Sequence, residues 1–308
     1  MSAAPPVRDV GRLDPADVPA VLDLLRAAAA ADGVRPLSEE AELRLQHGGP
    51  PGGRDVLAPA PDGGLAGYAR FEAATGGADA EAELVVAPGA RRRGVGRALL
   101  TRLEELAGGR PLRVWAHGDL PGSAELARSR GYTRARVLLQ MRRELAGVAA
   151  QPRPRLAEGV TVRTFRPGRD EQAWLRANAR AFAHHPEQGG WTAEDLRLRE
   201  AEPWFDPDGF FLAWDGDRLL GSHWTKVHPP GDVGPEPVGE VYVLGVDPDA
   251  QGTGVGRALT DVGLAHLRAR GLREVLLYVE EDNAAAVALY GRSGFRRHAV
   301  DVSWRRAP

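Results

Sequence analysis

The hexapeptide Gly-Val-Gly-Arg-Ala-Leu occurs at residues 94–99 and again, unchanged, at residues 254–259. The match continues upstream at the same spacing, because residues 84–93 and 244–253 share leucine, valine, proline and alanine at corresponding positions. A match of this length in one register indicates that a whole structural unit has been duplicated.

Each copy has the pattern of a strand that enters a helix through a glycine-rich corner. A short apolar run leads into a proline-containing turn, then into glycines, and then into a helical pattern that opens with Arg-Ala-Leu. Glycine lets backbone N–H groups approach an anion closely, and the first turn of a helix adds unpaired N–H donors and the positive end of its dipole. We therefore predict that both corners bind phosphate groups.

Length and composition fit two domains. The chain has 308 residues, of which 43% are hydrophobic, which is enough for two cores at roughly 100 to 200 residues per domain. Residues 151–155, Gln-Pro-Arg-Pro-Arg, are polar and lack periodicity, as is typical of a linker. We predict domains at residues 1–148 and 149–308, with a linker at about residues 145–158.

Charge, cysteine content and hydropathy argue against several classes of function. The formal net charge is −2 and the sequence has no cysteine, so we expect no nucleic-acid partner, thiolate metal site or cysteine nucleophile. No apolar run reaches the roughly 18 residues of a membrane span, and the N-terminal residues do not resemble a leader. We expect a cytoplasmic, monomeric protein that does not bind membranes.

Apolar periodicity predicts two units of the same plan. In the first unit we predict helices at residues 15–31 (capped by Asp14), 38–45 and 95–106, and strands at residues 55–58, 67–73, 82–86, 112–116 and 137–142. In the second unit we predict helices at residues 171–183, 193–200, 255–270 and 284–293, and strands at residues 161–165, 210–214, 219–226, 240–246, 274–279 and 298–305.

Two motifs in this order resemble the GNAT acetyltransferase family. Residues 91–96 and 251–256 both fit Gln/Arg-x-x-Gly-x-Gly/Ala after a fourth strand, and the second copy also has Asn283, a helical Tyr290 and then Gly294-Phe295. The resemblance implies an α+β fold of two tandem GNAT-like domains, each a mixed, mostly antiparallel sheet flanked by helices. It also implies an acetyl-CoA-dependent N-acetyltransferase.

The tandem arrangement further resembles the mycothiol synthase family. The residues that carry this likeness are the phrase at 185–192, His-Pro-Glu-Gln-Gly-Gly-Trp-Thr, and the strand at 239–246. The resemblance covers essentially the whole chain. It implies transfer of acetyl from acetyl-CoA to the cysteinyl amine of cysteinyl-glucosaminyl-inositol, a pseudo-disaccharide cysteine conjugate, which gives mycothiol.

Attack on a thioester needs a neutral amine, a donor for the developing oxyanion and a proton for the departing thiolate. The resemblance assigns the general base to Glu240, which opens the strand before the second corner, and the proton donor to Tyr290. From the residues alone, a solvated strand-end carboxylate and an aromatic ring packed beneath its helix remain open as alternatives.

The acetyl-CoA contacts follow from the resemblance and from the corner chemistry. We expect backbone N–H groups near residues 244–246 to meet the oxyanion, with a strand bulge at Gly245. The predicted contacts in the first copy are Leu84, Val85, Val86, Arg92, Arg93, Gly94, Val95, Gly96 and Arg97. Those in the second copy are Leu244, Gly245, Val246, Gln251, Gly252, Thr253, Gly254, Val255, Gly256 and Arg257, with Asn283, Ala284, Ala285, Ala286, Val287 and Ala288 along the pantetheine arm.

The resemblance implies an acceptor site formed by Glu39, Glu187, Lys226, Glu240 and Tyr278. Carboxylates suit this role because they bind both sugar hydroxyls and an ammonium group. Simpler alternatives remain open: Glu39 as a helix-face acid, Glu187 as a solvated loop side chain, and Lys226, the one lysine of the sequence, as an edge charge. His184 and His185 adjoin without a suitably spaced third ligand, so we expect no metal.

The first copy departs from the pattern at the chemical positions. Aligned with the second copy, the places of the base, the asparagine and the tyrosine are taken by Ala80, Leu120 and Ala127. We therefore predict a degenerate domain that binds acetyl-CoA without catalysis and forms one wall of the acceptor cleft. Glu81 and Glu83 lie close to the missing carboxylate and leave a second base open.

Three other functions compete with this interpretation. A GNAT enzyme for another amine, such as an aminoglycoside or a peptide N-terminus, would share every phosphate-site feature. A non-catalytic acyl-CoA sensor would keep the fold without turnover. A dinucleotide-binding oxidoreductase is disfavoured because Leu259 stands where the Gly-x-Gly-x-x-Gly pattern needs glycine.

Overall fold

The structure is a computed structural model that describes residues 5–47, 52–61, 63–73, 78–149 and 156–307. Within these ranges the side chains of His47, Pro186, Glu187 and Ala285 are not described. The linker sequence at residues 151–155 lies outside the described residues, and the division of the chain at residue 148 stays a prediction. Among the helices of these ranges, none is long and apolar enough to cross a membrane.

The two copies follow one another as similar series of strands and helices. The first comprises β1 (Arg8–Gly11), α1 (Val18–Asp32), α2 (Glu39–His47), β2 (Arg54–Pro59), β3 (Leu65–Glu72), β4 (Ala80–Val86), α3 (Val95–Ala107), β5 (Leu112–Ala116), α4 (Pro121–Ser129) and β6 (Thr133–Glu144). The second comprises β7 (Val160–Thr164), α5 (Glu171–Ala181), α6 (Pro186–Gly189), α7 (Ala193–Glu200), β8 (Phe210–Asp215), β9 (Arg218–His228), β10 (Val238–Val246), α8 (Val255–Ala269), β11 (Glu274–Glu280), α9 (Ala284–Arg292) and β12 (Arg296–Arg306).

These strands form one continuous sheet in the order β1-β2-β3-β4-β5-β12-β6-β11-β10-β9-β8-β7. The last strand of each copy is exchanged, because β12 pairs with β5 of the first copy and β6 pairs with β11 of the second. Val114 lies opposite Trp304, and Leu277 opposite Met141. The predicted α+β class is confirmed. That the two sheets merge could not be predicted, since periodicity does not identify strand partners.

Helices cover both faces of the sheet because apolar side chains alternate along its strands. On β2, Val56 faces the core formed with α3, whereas Leu57 faces the core formed with α1 and α2. On β8 of the second copy, Phe211 faces α8 and Leu212 faces α5 and α7. Because helices cover both faces of the sheet, a ligand can reach the sheet only at the ends of its strands.

Three short elements and one helix start differ from the predictions. The sequence pattern missed β1, α4 and the one-turn α6, which are too short or too rich in small residues to show periodicity. Helix α1 starts at Val18 after Asp17, so the predicted Asp14 cap was wrong. Asp14 instead accepts a hydrogen bond from the N–H of Ala16 at 2.8 Å, in the turn before the helix.

Candidate active site

The second copy opens a gap between two parallel strands. β10 and β11 pair at only three positions, ending at Val241 opposite Leu277, although β10 continues to Val246 and β11 to Glu280. The end of β10 therefore presents backbone groups toward the gap. These groups belong to residues 244–246, where the oxyanion contacts were predicted.

The bulge in β10 lies at Tyr242, not at Gly245. The register with β9 shifts between Val241 and Val243, whereas Gly245 pairs in register with Ser222. The predicted bulge at Gly245 was therefore wrong. Glycine is needed there because a Cβ atom would lie 2.9 Å from the ring of Phe182, which closes one side of the gap.

The two glycine corners have the same backbone conformation. Gly254 has φ 91° and Gly94 has φ 87°, and each residue is the N-cap of the helix that follows. Two residues earlier, Gly252 has φ 78° and its counterpart Arg92 has φ 60°, a left-handed conformation that glycine adopts more readily than arginine. The first-turn N–H groups of α8 and α3 are therefore directed alike, which fits one anion site in each copy.

A cleft of about 700 Å³ lies between the two copies. From the first copy it is lined by Glu39, Glu83, Trp115 and His117 among others. From the second it is lined by Leu244, Tyr278, Asn283, Ala286 and Tyr290 among others. Residues predicted for acetyl-CoA, for the acceptor and for proton donation thus share one cavity.

Tyr290 lines the cleft, and its phenol is neutral. Its side chain is 8% exposed, and burial raises its pKa to about 12. No hydrogen bond to its hydroxyl is made by the residues that the structure describes. Asn283 begins the same helix and accepts a hydrogen bond from the N–H of Ala286 at 3.1 Å, whereas Leu120 at the corresponding place in α4 offers no cap.

Glu240 is 6% exposed and adjoins Val241, which lines the cleft. Its Oε2 atom is 2.6 Å from Nε2 of His228, whose Nδ1 is 2.6 Å from Oδ2 of Asp232. Glu240 is therefore not a solvated strand-end residue. It belongs to a chain of three ionisable groups, of which Glu240 and His228 are buried.

Lys226 lies opposite Glu240 on β9 and is also buried, so it is not an edge charge. Its ammonium pairs with Glu39 and lies 4.3 Å from the centre of the Trp204 ring. Burial alone would raise the pKa of Glu39, but Lys226 and a hydrogen bond from Tyr242 outweigh it and lower that pKa. The predicted acceptor residues Glu39 and Lys226 thus form one unit built from both copies.

The remaining acceptor predictions differ in outcome. Tyr278 lines the cleft, and its hydroxyl accepts a hydrogen bond from Gln140 at 2.8 Å. Burial and the charge of Glu240 raise the pKa of Tyr278 well above its usual range. The side chain of Glu187 lies outside what the structure describes.

Both carboxylate oxygens of Glu83 in the first copy accept hydrogen bonds. It accepts hydrogen bonds from the N–H and the hydroxyl of Ser38, at 2.6 and 2.5 Å, and lies 3.2 Å from Nε2 of His117. The other ring nitrogen of His117 is 3.0 Å from Asp301 on the exchanged strand β12. A carboxylate held in this way fixes the start of α2, and so the place of Glu39, instead of serving as a free second base.

Sequence reasoning missed several residues of the site. They are Arg35, Arg199, His228, Asp232 and Tyr242, of which Arg199 donates a 2.8 Å hydrogen bond to the hydroxyl of Tyr242. Their contacts cross between loops, strands and copies, so no spacing along the chain signals them. In the described part of the chain, no group of three or more side chains could hold a metal ion.

Two stretches of the chain match the model of the Acetyltransferase (GNAT) family, residues 21–132 and 173–295. The chain belongs to the GNAT family. Each stretch contains one glycine corner, so both copies are GNAT units. The protein is therefore an acetyl-CoA-dependent N-acetyltransferase.

Curated relatives match this GNAT chain over its whole length. A mycothiol acetyltransferase of Geodermatophilus obscurus is 85% identical over 307 residues, covering 100% of both chains. A protein of the same name from Thermomonospora curvata is 57% identical over 298 residues, covering 97% of this chain and 96% of the relative. Each of these matches extends over both copies of the repeated unit.

Solved structures support the tandem GNAT fold. A GCN5-related N-acetyltransferase from Sphaerobacter thermophilus is 28% identical, with a TM-score of 0.72 and coverage of 99% of this chain and 96% of that one. A tandem GNAT protein from the clavulanic acid biosynthesis pathway has a TM-score of 0.74 at 23% identity, with 98% of each chain covered. The second likeness concerns the fold alone.

Proposed function

We propose that the protein transfers acetyl from acetyl-CoA to the cysteinyl amine of cysteinyl-glucosaminyl-inositol and so forms mycothiol. The names of the full-length relatives support this acceptor. The observation that carries the proposal is the cleft itself, which is lined by Glu39 of the first copy together with Tyr278, Asn283 and Tyr290 of the second. Residues proposed for the acceptor, from both copies, thus share one cavity with residues proposed for acetyl-CoA, which supports a two-substrate reaction.

The proposed chemistry is direct attack of the amine on the thioester. An N–C bond forms as the amine attacks, and Glu240 takes a proton from the amine nitrogen, directly or through water. Backbone N–H groups at residues 244–246 stabilise the oxyanion of the tetrahedral intermediate. The C–S bond then breaks, and the Tyr290 hydroxyl donates its proton to the thiolate before solvent restores it.

The first copy has a supporting role in this proposal. Its corner has the backbone conformation of an anion site, and we propose that it binds acetyl-CoA without transfer. The aligned positions Ala80 and Ala127 carry no ionisable group, and Glu83 is held by Ser38 and His117. Through Glu39, the same copy supplies part of the acceptor wall.

Product analysis with a panel of amines tests the proposal. Purified protein is incubated with acetyl-CoA and cysteinyl-glucosaminyl-inositol, an aminoglycoside or a peptide amine, and each product is identified by mass spectrometry. The proposal predicts rapid acetylation of the first acceptor alone. Turnover with another amine alone would identify that amine as the acceptor instead. Binding of acetyl-CoA without any turnover would favour a non-catalytic acyl-CoA sensor.

A further inference from the structure

Glu240 is one end of a row of three side chains, of which Glu240 and His228 are buried. His228 ends β9, with a side chain 2% exposed, and each ring nitrogen lies 2.6 Å from a carboxylate oxygen, of Glu240 on one side and Asp232 on the other. The side chain of Asp232 is 29% exposed. The row therefore runs from the buried strand β10 toward solvent.

An imidazole between two carboxylates satisfies both of them only in its protonated form, since then both ring nitrogens donate. Burial alone would lower the pKa of His228, but the hydrogen bonds to Asp232 and Glu240 outweigh it and raise that pKa. Burial likewise opposes ionisation of Asp232, yet His228 and Arg35 bring the pKa of that carboxyl down to about 2. His228 is therefore best described as an imidazolium between two carboxyl groups.

Other charged groups face this row from three directions. Lys226 lies two residues before His228, and its positive charge disfavours the protonated form of His228. The Lys226 ammonium is paired with Glu39. Arg35 of the first copy lies 3.8 Å from the second oxygen of Asp232 and is also paired with Glu42. Tyr278 faces Glu240 from β11 as a neutral phenol. The imidazolium is thus the positive group in direct contact with Glu240.

We propose that His228, held in place by Asp232, is the positioning residue of the general base. It fixes one carboxylate oxygen of Glu240 and leaves the second oxygen to take the proton of the attacking amine. This inference rests on the proposed role of Glu240. His228 does not touch the acceptor and acts only through Glu240.

The charge of His228 distinguishes this role from a purely structural one. The hydrogen-bond donor to Glu240 is charged, so its removal changes the affinity of the base for protons as well as its orientation. Glutamine at position 228 can still donate one hydrogen bond to Glu240 but carries no charge. H228Q therefore separates the charge of His228 from its hydrogen bond.

The test is the pH dependence of kcat/KM for acetyl transfer, from about pH 5.5 to about pH 9. For H228Q we expect the acidic limb of the profile to move up by about one pH unit relative to the parent, while the alkaline plateau is largely kept. D232N should shift the limb in the same direction by less. H298Q and D217N, at exposed sites away from the row, are the matched controls and should retain the parent profile.

Each outcome has a defined meaning. A uniform fall in activity at all pH values, or an unmoved acidic limb, in both H228Q and D232N would overturn the positioning role. Circular dichroism and acetyl-CoA affinity establish that the variants are folded, and D232N supplies the measurement if H228Q does not fold. E240Q separates the two proposals: if E240Q remains active, Glu240 is not the base, whereas an inactive E240Q with an unshifted H228Q contradicts only the role of His228.

Discussion

The ammonium of Lys226 is paired with the carboxylate of Glu39, and this pair joins strand β9 of the second copy to helix α2 of the first. The Lys226 side chain is 5% exposed and Glu39 20%, and the rings of Trp204 and Tyr242 lie beside the ammonium. Burying the Lys226 ammonium would be costly without the opposite charge of Glu39 beside it. The Lys226–Glu39 pair therefore forms only with both copies in place.

Breaking this pair from one side should destabilise the protein. We expect K226M to lower the free energy of unfolding by about 2 kcal/mol or more, because Glu39 loses its main counter-charge. The double variant K226M/E39L should recover much of that loss, since no buried charge is left unpaired. Urea unfolding measures both, and E194A, at an exposed surface pair, is the control. Equal losses in the single and double variants would contradict the account.

Gly263 should not tolerate a methyl group. A Cβ atom at this position of α8 would overlap the ring of His223, which is fully buried in the core. We expect G263A to cost about 1–3 kcal/mol of stability. G291A is the matched control, because its Cβ meets nothing within 4 Å, and alanine there should be neutral or stabilise helix α9 slightly. Thermal unfolding with equal Tm for both variants would show that the core relaxes around His223.

Alkaline pH should weaken the contact between His117 and the exchanged strand. Burial would lower the pKa of His117, but Asp301 and Glu83 outweigh it and raise that pKa to about 10 from an ordinary 6.5. A raised folded-state pKa stabilises the protein fully below the unfolded value, and this contribution is lost as the pH rises through about 10. Urea midpoints measured from about pH 6 to about pH 10 should therefore fall less steeply in H117Q than in the parent. Parallel slopes would argue that the imidazole is neutral.

Strand exchange should make the two copies interdependent. Residues 149–308 alone lack β6 beside β11, and residues 1–148 alone lack β12 beside β5. Each half would expose an unpaired strand edge, so we expect each to be insoluble or unfolded when expressed singly. Co-expression should restore a soluble complex of the two, detectable by size-exclusion chromatography. Two independently folded, monomeric halves would contradict this.

Substitutions at the two glycine corners should affect activity differently. Valine at Gly256 would crowd Val246, and valine at Gly96 would crowd Leu126. Calorimetry of the parent protein should give two acetyl-CoA molecules per chain. G256V should raise the KM for acetyl-CoA about tenfold or more, whereas G96V should remove one binding event with little change in kcat. A fall in kcat with G96V would assign chemistry to the first copy.

Sequence alone predicted the repeated units, most of their regular elements and the two glycine corners, because strand alternation, helical periodicity and glycine turns are local patterns. It could not predict that β6 and β12 change places, since that depends on pairing between distant segments. Nor could it find His228 beside Glu240, because the contact forms only when β9 and β10 pair. The roles of individual site residues, the monomeric state and the cytoplasmic location remain predictions.

The most direct test of the central claim is the rate of CoA thiol release by E240Q/Y290F with cysteinyl-glucosaminyl-inositol as acceptor. The claim is that one base and one proton donor, both in the second copy, catalyse the transfer. We predict a loss of at least about a thousandfold in kcat, with acetyl-CoA binding retained at both corners. Substantial acetyl transfer by the double variant would contradict the assignment of catalysis to this pair.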